Sequence, residues 1–96
     1  LVAVEAARAL LRAAPGFSDK LAMAALSAAA ADDASMEAFQ SELFDGLAER
    51  AEIDPSAANL WLKQARLAGD AERLNMDAAQ VAAKMVSGLY ELAQPV

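Results

Sequence analysis

Polar residues recur along this chain at spacings of three and four, which is the repeat of an amphipathic α-helix. In the first segment Glu5, Arg8 and Arg12 follow that spacing and leave aliphatic and small residues on the other side. Pro15-Gly16 ends the pattern, because proline lacks the N–H that a continuing helix requires. We therefore expect an amphipathic first helix that stops before residue 15.

The second segment lacks an obvious polar face. Within residues 21–31 only Ser27 is polar, and Ser18 precedes the segment as a candidate N-cap. Its eleven residues are too few to span a bilayer, which takes about 20 residues. A helix that is apolar on all sides is typical of the inside of a bundle. We therefore expect this helix to be the central and most buried one.

The third segment has its apolar residues on one stripe and acidic residues on another side. Asp33 or Ser35 is expected to cap its start. Gly46 lies in its interior, where glycine costs about 1 kcal/mol relative to alanine. We expect either a close helix contact or a local bend at that position. The apolar stripe consists of Met36, Phe39, Leu43 and Leu47.

The fourth segment carries the clearest start signal of the chain. Asp54 is a suitable N-cap, and Pro55 follows at the first helical position, where its missing N–H is not needed. Leu60 and Trp61 fall on the buried side, and Gly69 is expected to end the helix. The residues after Gly69 are interpreted as a connector with room for one helical turn.

The last segment again separates polar from apolar positions, and Asn75 is expected to cap its start. With no alternation of the kind that strands show, the five segments predict an all-α fold, a compact single-domain bundle of about five short helices over residues 1–96. A fragment of a longer chain stays open, because the sequence begins at Leu1 rather than Met. The polar side of the last segment consists of Asp77, Gln80, Lys84, Ser87 and Glu91, and its apolar side of Val81, Met85, Leu89 and Leu92.

The amino-acid composition limits which residues can stabilise the core. The hydrophobic fraction is 57%, but 27 of the 96 residues are alanine, which favours a helix and buries little area. Core stabilisation of about 25 cal/mol per Å² must therefore come mainly from the Leu, Val, Met, Phe and Trp positions.

The charge balance argues against two classes of partner. Eight Lys and Arg residues stand against fourteen Asp and Glu residues, which gives a net charge of −6. Because affinity for nucleic acids is largely cationic in origin, we expect no nucleic-acid binding. The same balance disfavours an anionic membrane surface, and we expect no membrane insertion.

The residue types that most enzymes use are missing from the sequence. It contains no His and no Cys, which removes the usual general base, the commonest metal ligand and thiolate chemistry. No G-x-S-x-G elbow, S-x-x-K pair or P-loop occurs. We therefore expect a non-enzymatic protein without catalytic residues or cofactors.

Acidic residues at the end of the alanine run are dense enough to suggest a cation site. Asp32, Asp33 and Glu37 offer oxygen ligands of the kind that Ca²⁺ and Mg²⁺ prefer. An EF-hand loop, however, needs a central glycine, and this stretch has none. We expect no metal site there and interpret these residues as a solvated acidic face.

The same stretch imitates a signal peptide, since ALSAAAADDAS at residues 25–35 joins an apolar run to small residues of the type found at cleavage sites. A leader begins with a short basic region, whereas here a complete amphipathic helix, a turn and Asp19 come first. We therefore expect a cytoplasmic protein, and a sorting signal upstream of Leu1 stays open.

Apolar residues that do not fit the narrow stripes suggest a surface for another protein. We expect a protein–protein interaction or self-association module, with a protein partner or a homo-oligomer. A small apolar-ligand carrier is the first alternative, because Met, Phe and Trp lie among small alanines and suit a pocket between helices. A helical subdomain of a larger enzyme or assembly is the second. The candidate interface residues are Phe44, Leu62, Leu67 and Val86.

Overall fold

Five α-helices make up most of the part of the chain that the structure describes. The computed structural model describes residues 2–13 and 17–92, and no strand occurs in those ranges. The predicted all-α bundle of five helices is therefore confirmed, while the predicted stop at Pro15-Gly16 lies outside the described residues. None of these helices is long and apolar enough to cross a membrane. The helices are α1 (Val2–Ala13), α2 (Asp19–Ala29), α3 (Asp33–Ala51), α4 (Pro55–Leu74) and α5 (Ala78–Leu92).

The helix at the centre of the bundle is α3, which packs against α1, α2 and α4. Its predicted apolar stripe is confirmed at Phe39, Leu43 and Leu47, which are completely buried, whereas Met36 is half-buried at the edge of the core. Burying a side chain of this size contributes about 1.5–3 kcal/mol, so this stripe is a large part of the core. Leu10 of α1 and Met85 of α5 are also completely buried in the same core.

The prediction that α2 is the central helix is wrong. Only Ala25 and Ala29 of this helix are buried, and Met23 is 68% exposed. The physical reason is that alanine gains little from leaving water, so the larger side chains of α3 occupy the centre instead. The apolar run of α2 reflects the helix propensity of alanine rather than burial.

Two of the predicted helix starts are confirmed by their hydrogen bonds. The Ser18 hydroxyl accepts the Leu21 N–H at 3.2 Å, which caps α2. The Asp54 carboxylate accepts the Ser56 N–H at 3.0 Å, with Pro55 at the start of α4. Both side chains satisfy an N–H that the helix itself leaves without an acceptor.

The start of α3 differs from the prediction by one residue. Asp32, rather than Asp33 or Ser35, is the N-cap, and its carboxylate accepts the Ser35 N–H at 2.7 Å. Asp32 has the extended backbone that an N-cap requires, whereas Asp33 already lies in the first turn. The negative charge of Asp33 is favourable there, because the N-terminus of a helix carries partial positive charge.

A close contact between α1 and α3 explains the glycine inside α3. A Cβ atom at Gly46 would overlap the side chain of Leu11, so of the two predicted alternatives the structure shows the close helix contact. The Arg8 guanidinium donates to Glu42 across the same pair of helices, with 2.7 Å between Nε and Oε1. The Glu42 carboxylate raises the pKa of Arg8, but an exposed pair of this kind adds little to stability.

The predicted end of the fourth helix is wrong, because α4 continues through Gly69 to Leu74. Asn75 adopts a left-handed conformation (φ 53°, ψ 48°) and is the C-cap of α4, rather than the N-cap of α5. Asparagine tolerates this conformation better than most residues, so it ends a helix much as glycine does. The expected connector after Gly69 is therefore the last part of α4.

The course of α4 predicts that Gly69→Ala stabilises the protein by about 0.5–1 kcal/mol, since alanine is the better residue inside a helix. Within the described ranges, a Cβ built at Gly69 meets no other atom within 4 Å. The free energy of unfolding, measured by urea denaturation, checks this. If Gly69 instead ended the helix in a left-handed conformation, the same substitution would destabilise the protein. Gly46→Ala is the contrasting variant, and we expect it to destabilise the protein because its Cβ would overlap Leu11.

Candidate functional site

An open groove of about 480 Å³ runs between α4 and α5. Three leucines belong to its lining, and most of the other lining residues carry ammonium, amide, hydroxyl or carboxylate groups. The α4 side presents Ser56, Asn59, Leu60, Lys63, Gln64 and Leu67, and the α5 side presents Lys84, Ser87, Gly88, Glu91 and Leu92.

Two contacts between α4 and α5 fix how their residues face each other. The Gln64 side chain donates from Nε2 to the Met85 carbonyl at 3.1 Å. Gly88 lies opposite Leu60, since a Cβ at Gly88 would be 2.9 Å from Leu60 Cδ1. From Leu60 to Gln64 the chain of α4 runs forward, while the residues that these two meet on α5 run backward, from Gly88 to Met85. The two helices are therefore antiparallel.

Gly88 allows α5 to approach α4 closely. A Cβ at this position would also lie 3.3 Å from Gln64 Nε2, so a larger residue would push against both Leu60 and the Gln64 amide. Because Gly88 has no side chain, α4 and α5 can pack closely at the floor of the groove.

Gln64 is a polar side chain inside the core, with only 3% of its surface exposed. Its Nε2 is bonded to Met85, but its Oε1 has no hydrogen-bond partner among the described residues. A buried acceptor left in this state costs about 1–3 kcal/mol. Its spacing of four from Leu60 and seven from Ala57 places Gln64 on the buried stripe of α4. That spacing is a sequence signal for a buried glutamine, although Gln64 is polar and so falls outside a pattern of apolar residues.

The two lysines of the groove stand on opposite walls. Lys63 precedes Gln64 and Lys84 precedes Met85, so the hydrogen bond between Gln64 and Met85 places both lysines at about the same level. Glu91 lies toward the other end, near Ser56, because the helices are antiparallel. Neither lysine belongs to an ion pair in the part of the chain that the structure describes, where the pairs are Arg8–Glu42, Arg50–Asp54 and Arg73–Asp70.

The four predicted interface residues do not form one surface. Leu67 lines the groove, whereas Leu62, five positions earlier on α4, points about 140° away around the helix. Leu62 is 52% exposed, but Val86 is only 5% exposed and lies in the core, where it is not available to a partner. Phe44 is half-buried and packs edge-on against Trp61, with 5.7 Å between the ring centres.

Trp61, expected on the buried side of its helix, keeps 36% of its surface exposed. Its place beside Phe44 puts it at the edge between α3 and α4, away from the residues that line the groove. Trp61 is thus partly covered by another ring and partly exposed to solvent, as is common for this large residue.

The acidic residues Asp32, Asp33 and Glu37 are all exposed. The Asp32 carboxylate is engaged in capping α3, and the hydrogen bond from the Ser35 N–H lowers its pKa. No three acidic side chains within residues 2–13 and 17–92 come close enough together to hold a metal ion. The structure therefore gives this stretch a capping role at Asp32 and a solvated surface around it.

A second, smaller depression of about 270 Å³ lies along the contact of α1 and α3. It is lined mainly by charged side chains, among them Arg12, Glu49 and the paired Arg8 and Glu42. Because much of this charge is already neutralised by neighbours, the depression offers fewer unmet groups than the groove between α4 and α5.

No protein-family model, curated protein or solved structure matches this chain. The function must therefore be argued from the groove itself. Its ammonium, amide, hydroxyl and carboxylate groups around leucine side chains suit recognition by packing and charge.

The capping role of Asp32 predicts a pH-dependent loss of stability. Asp32→Ala is expected to lower the melting temperature at pH 7, because the Ser35 N–H loses its acceptor. The lowered pKa means that this stabilisation is fully present above the unfolded value of about 3.9 and is lost as the pH falls through the folded value. Thermal melts of Asp32→Ala and wild type should therefore converge in acid. Asp32→Asn is the control, since asparagine caps without titrating. A constant difference between Asp32→Ala and wild type at all pH values would contradict the role of the charge.

Because Oε1 of Gln64 has no hydrogen-bond partner among the described residues, we expect Gln64→Met to leave the free energy of unfolding unchanged or to raise it by up to about 1 kcal/mol. Methionine fills a similar volume, and the Met85 carbonyl keeps the hydrogen bond that α5 supplies. Urea denaturation measures the change, with Gln80→Met on the exposed side of α5 as the control for the substitution itself. A loss of more than 1 kcal/mol at Gln64 alone would show that its hydrogen bond outweighs the cost of its unpaired oxygen.

Proposed function

We propose that this chain is a non-enzymatic interaction module that receives a helix of another protein in the groove between α4 and α5. The single observation that carries this proposal is the groove itself, an open concave surface with leucines at its floor. Leu60, Leu67 and Leu92 are the apolar residues among its lining. An amphipathic helix that lays its apolar face into such a groove is a recurring form of protein recognition.

The dimensions of the groove suit one short helix. Its lining on α4 extends from Ser56 to Leu67, which at 1.5 Å per residue is about 16 Å, or three turns. Two helices packed side by side leave a furrow between them, and a third helix placed there contacts both. A shape of this kind favours a rod-like occupant over a flat one.

The other exposed apolar side chains give weaker support for an interface. Ile53, Leu74 and Leu62 are well exposed, but they belong to the turn after α3, the end of α4 and the far side of α4. Single exposed apolar residues are normal on protein surfaces. We therefore place the interaction at the groove and not at these positions.

A small apolar-ligand carrier is a second candidate, and the size of the groove favours it. Its volume of about 480 Å³ falls in the usual range of about 300–1,000 Å³ for ligand sites. Such sites normally enclose most of their ligand, however, whereas this groove is open to solvent along its length. The open shape is the reason for preferring a helix as the occupant.

Blocking the groove predicts a loss of binding without a loss of fold. Ser87→Trp places a large side chain on the exposed α5 wall, and Ala24→Trp adds the same side chain at an exposed position of α2, outside the groove lining. Sedimentation velocity of the purified protein measures self-association. Capture from the native host, with mass spectrometry of the retained proteins, measures heterologous binding. We expect wild type and Ala24→Trp to behave alike and Ser87→Trp to lose its partner.

Circular dichroism must show equal helix content for both tryptophan variants, so that the comparison concerns binding. If Ser87→Trp retains the same proteins and the same oligomeric state as wild type, the groove is not the interaction surface. If native mass spectrometry instead shows a small molecule that wild type carries and Ser87→Trp lacks, the carrier is the better account.

A further inference from the structure

We propose that the helix received by the groove between α4 and α5 is an acidic amphipathic helix of about three turns, held by charge between Lys63 and Lys84. This inference rests on the function proposed above and specifies the chemistry of its partner. It follows from where the two lysines lie and from what surrounds them.

The positions of the lysines make the groove locally cationic. Lys63 and Lys84 stand on opposite walls beside the contact of Gln64 with Met85. Like charges that face each other repel, and an acidic group placed between them relieves that repulsion. Glu91 lines the same groove toward its other end, so the local charge remains positive at the level of the lysines.

Neither lysine of the groove is neutralised by a carboxylate of the described residues. Acidic residues outnumber basic ones by fourteen to eight, yet the ion pairs within the described residues are made by Arg8, Arg50 and Arg73. Both ammonium groups are therefore free to meet a carboxylate of a partner. Charge complementarity across an interface governs partner choice and association rate. The unpaired lysines therefore select an acidic occupant.

Apolar contacts complete the recognition. Leu60 and Leu67 lie on α4 about one turn to either side of Lys63, and Leu92 lies on α5 toward the end of the groove that holds Ser56. An occupant with leucines on one stripe and glutamates beside it would place the leucines on this floor and the glutamates against the ammonium groups. Basic residues beside the same stripe would meet the lysines with like charge.

The test uses two synthetic helical peptides of about twelve residues, which is roughly three turns. Both carry leucines at spacings of three and four, with glutamates beside the stripe in one peptide and lysines in the other. Binding is measured by fluorescence anisotropy at low and high salt. We expect wild type to bind the glutamate peptide roughly tenfold or more tightly than the lysine peptide, and salt to reduce this preference.

The double variant Lys63→Glu/Lys84→Glu is expected to reverse the preference. Lys20→Glu/Arg66→Glu is the matched control, because it changes the net charge equally at exposed residues outside the groove lining. We expect this control to retain the wild-type preference. Glu91→Gln, which removes the negative group of the groove, should tighten binding of the glutamate peptide.

The outcomes separate this inference from the proposed function. If both peptides bind equally and Ser87→Trp blocks both, the groove receives helices and the acidic partner is wrong. If neither peptide binds, both the inference and the proposed function are overturned. Myristate is the probe for the alternative of a small apolar-ligand carrier. If myristate binds the groove more tightly than either peptide does, the inference is overturned. If wild type is a dimer and Lys63→Glu/Lys84→Glu dissociates it, the helix in the groove comes from a second copy of this chain rather than from a different protein.

Discussion

Burial of a few large side chains on α3 is the interaction on which the rest of the structure depends. With 27 alanines among 96 residues, little apolar area is available elsewhere. Phe39, Leu43 and Leu47 are half of the six largest completely buried side chains. Truncating one such residue typically costs about 2–5 kcal/mol, against a total stability of about 5–15 kcal/mol for a domain. The other helices are therefore arranged around α3, with α1 and α4 against it directly.

Small residues decide how closely the helices approach once that core is formed. Gly46 brings α3 against Leu11 of α1, and Gly88 brings α5 against Leu60 and Gln64 of α4. Each glycine lowers helix propensity by about 1 kcal/mol relative to alanine, and close packing between neighbours offsets that cost. At Gly88 the same close approach also forms the floor of the groove.

Much of the fold follows from the sequence, and the exceptions have physical causes. The stripe of α3 and the start of α4 at Asp54 are local patterns, so they are predicted correctly. The burial of α2 is predicted wrongly because alanine looks apolar but contributes little area. Gly69 is misjudged because a helix tolerates an isolated glycine when its neighbours on both sides favour the helix. Of the predicted interface residues, only Leu67 lies in the groove. The groove itself is not predicted, because it depends on the register in which α4 packs against α5, and that register is not a local pattern.

The turn at Asn75 has a consequence for how the groove forms. Both walls belong to consecutive helices, and the left-handed residue between them turns the chain back on itself. The groove is therefore built from contacts that are close in sequence, such as Gln64 with Met85, 21 residues apart. Contacts of this kind close small loops and form rapidly during folding. A surface made this way depends on one helical hairpin, so changes in α1, which packs against α2 and α3, can alter the stability of the bundle while leaving the shape of the groove intact.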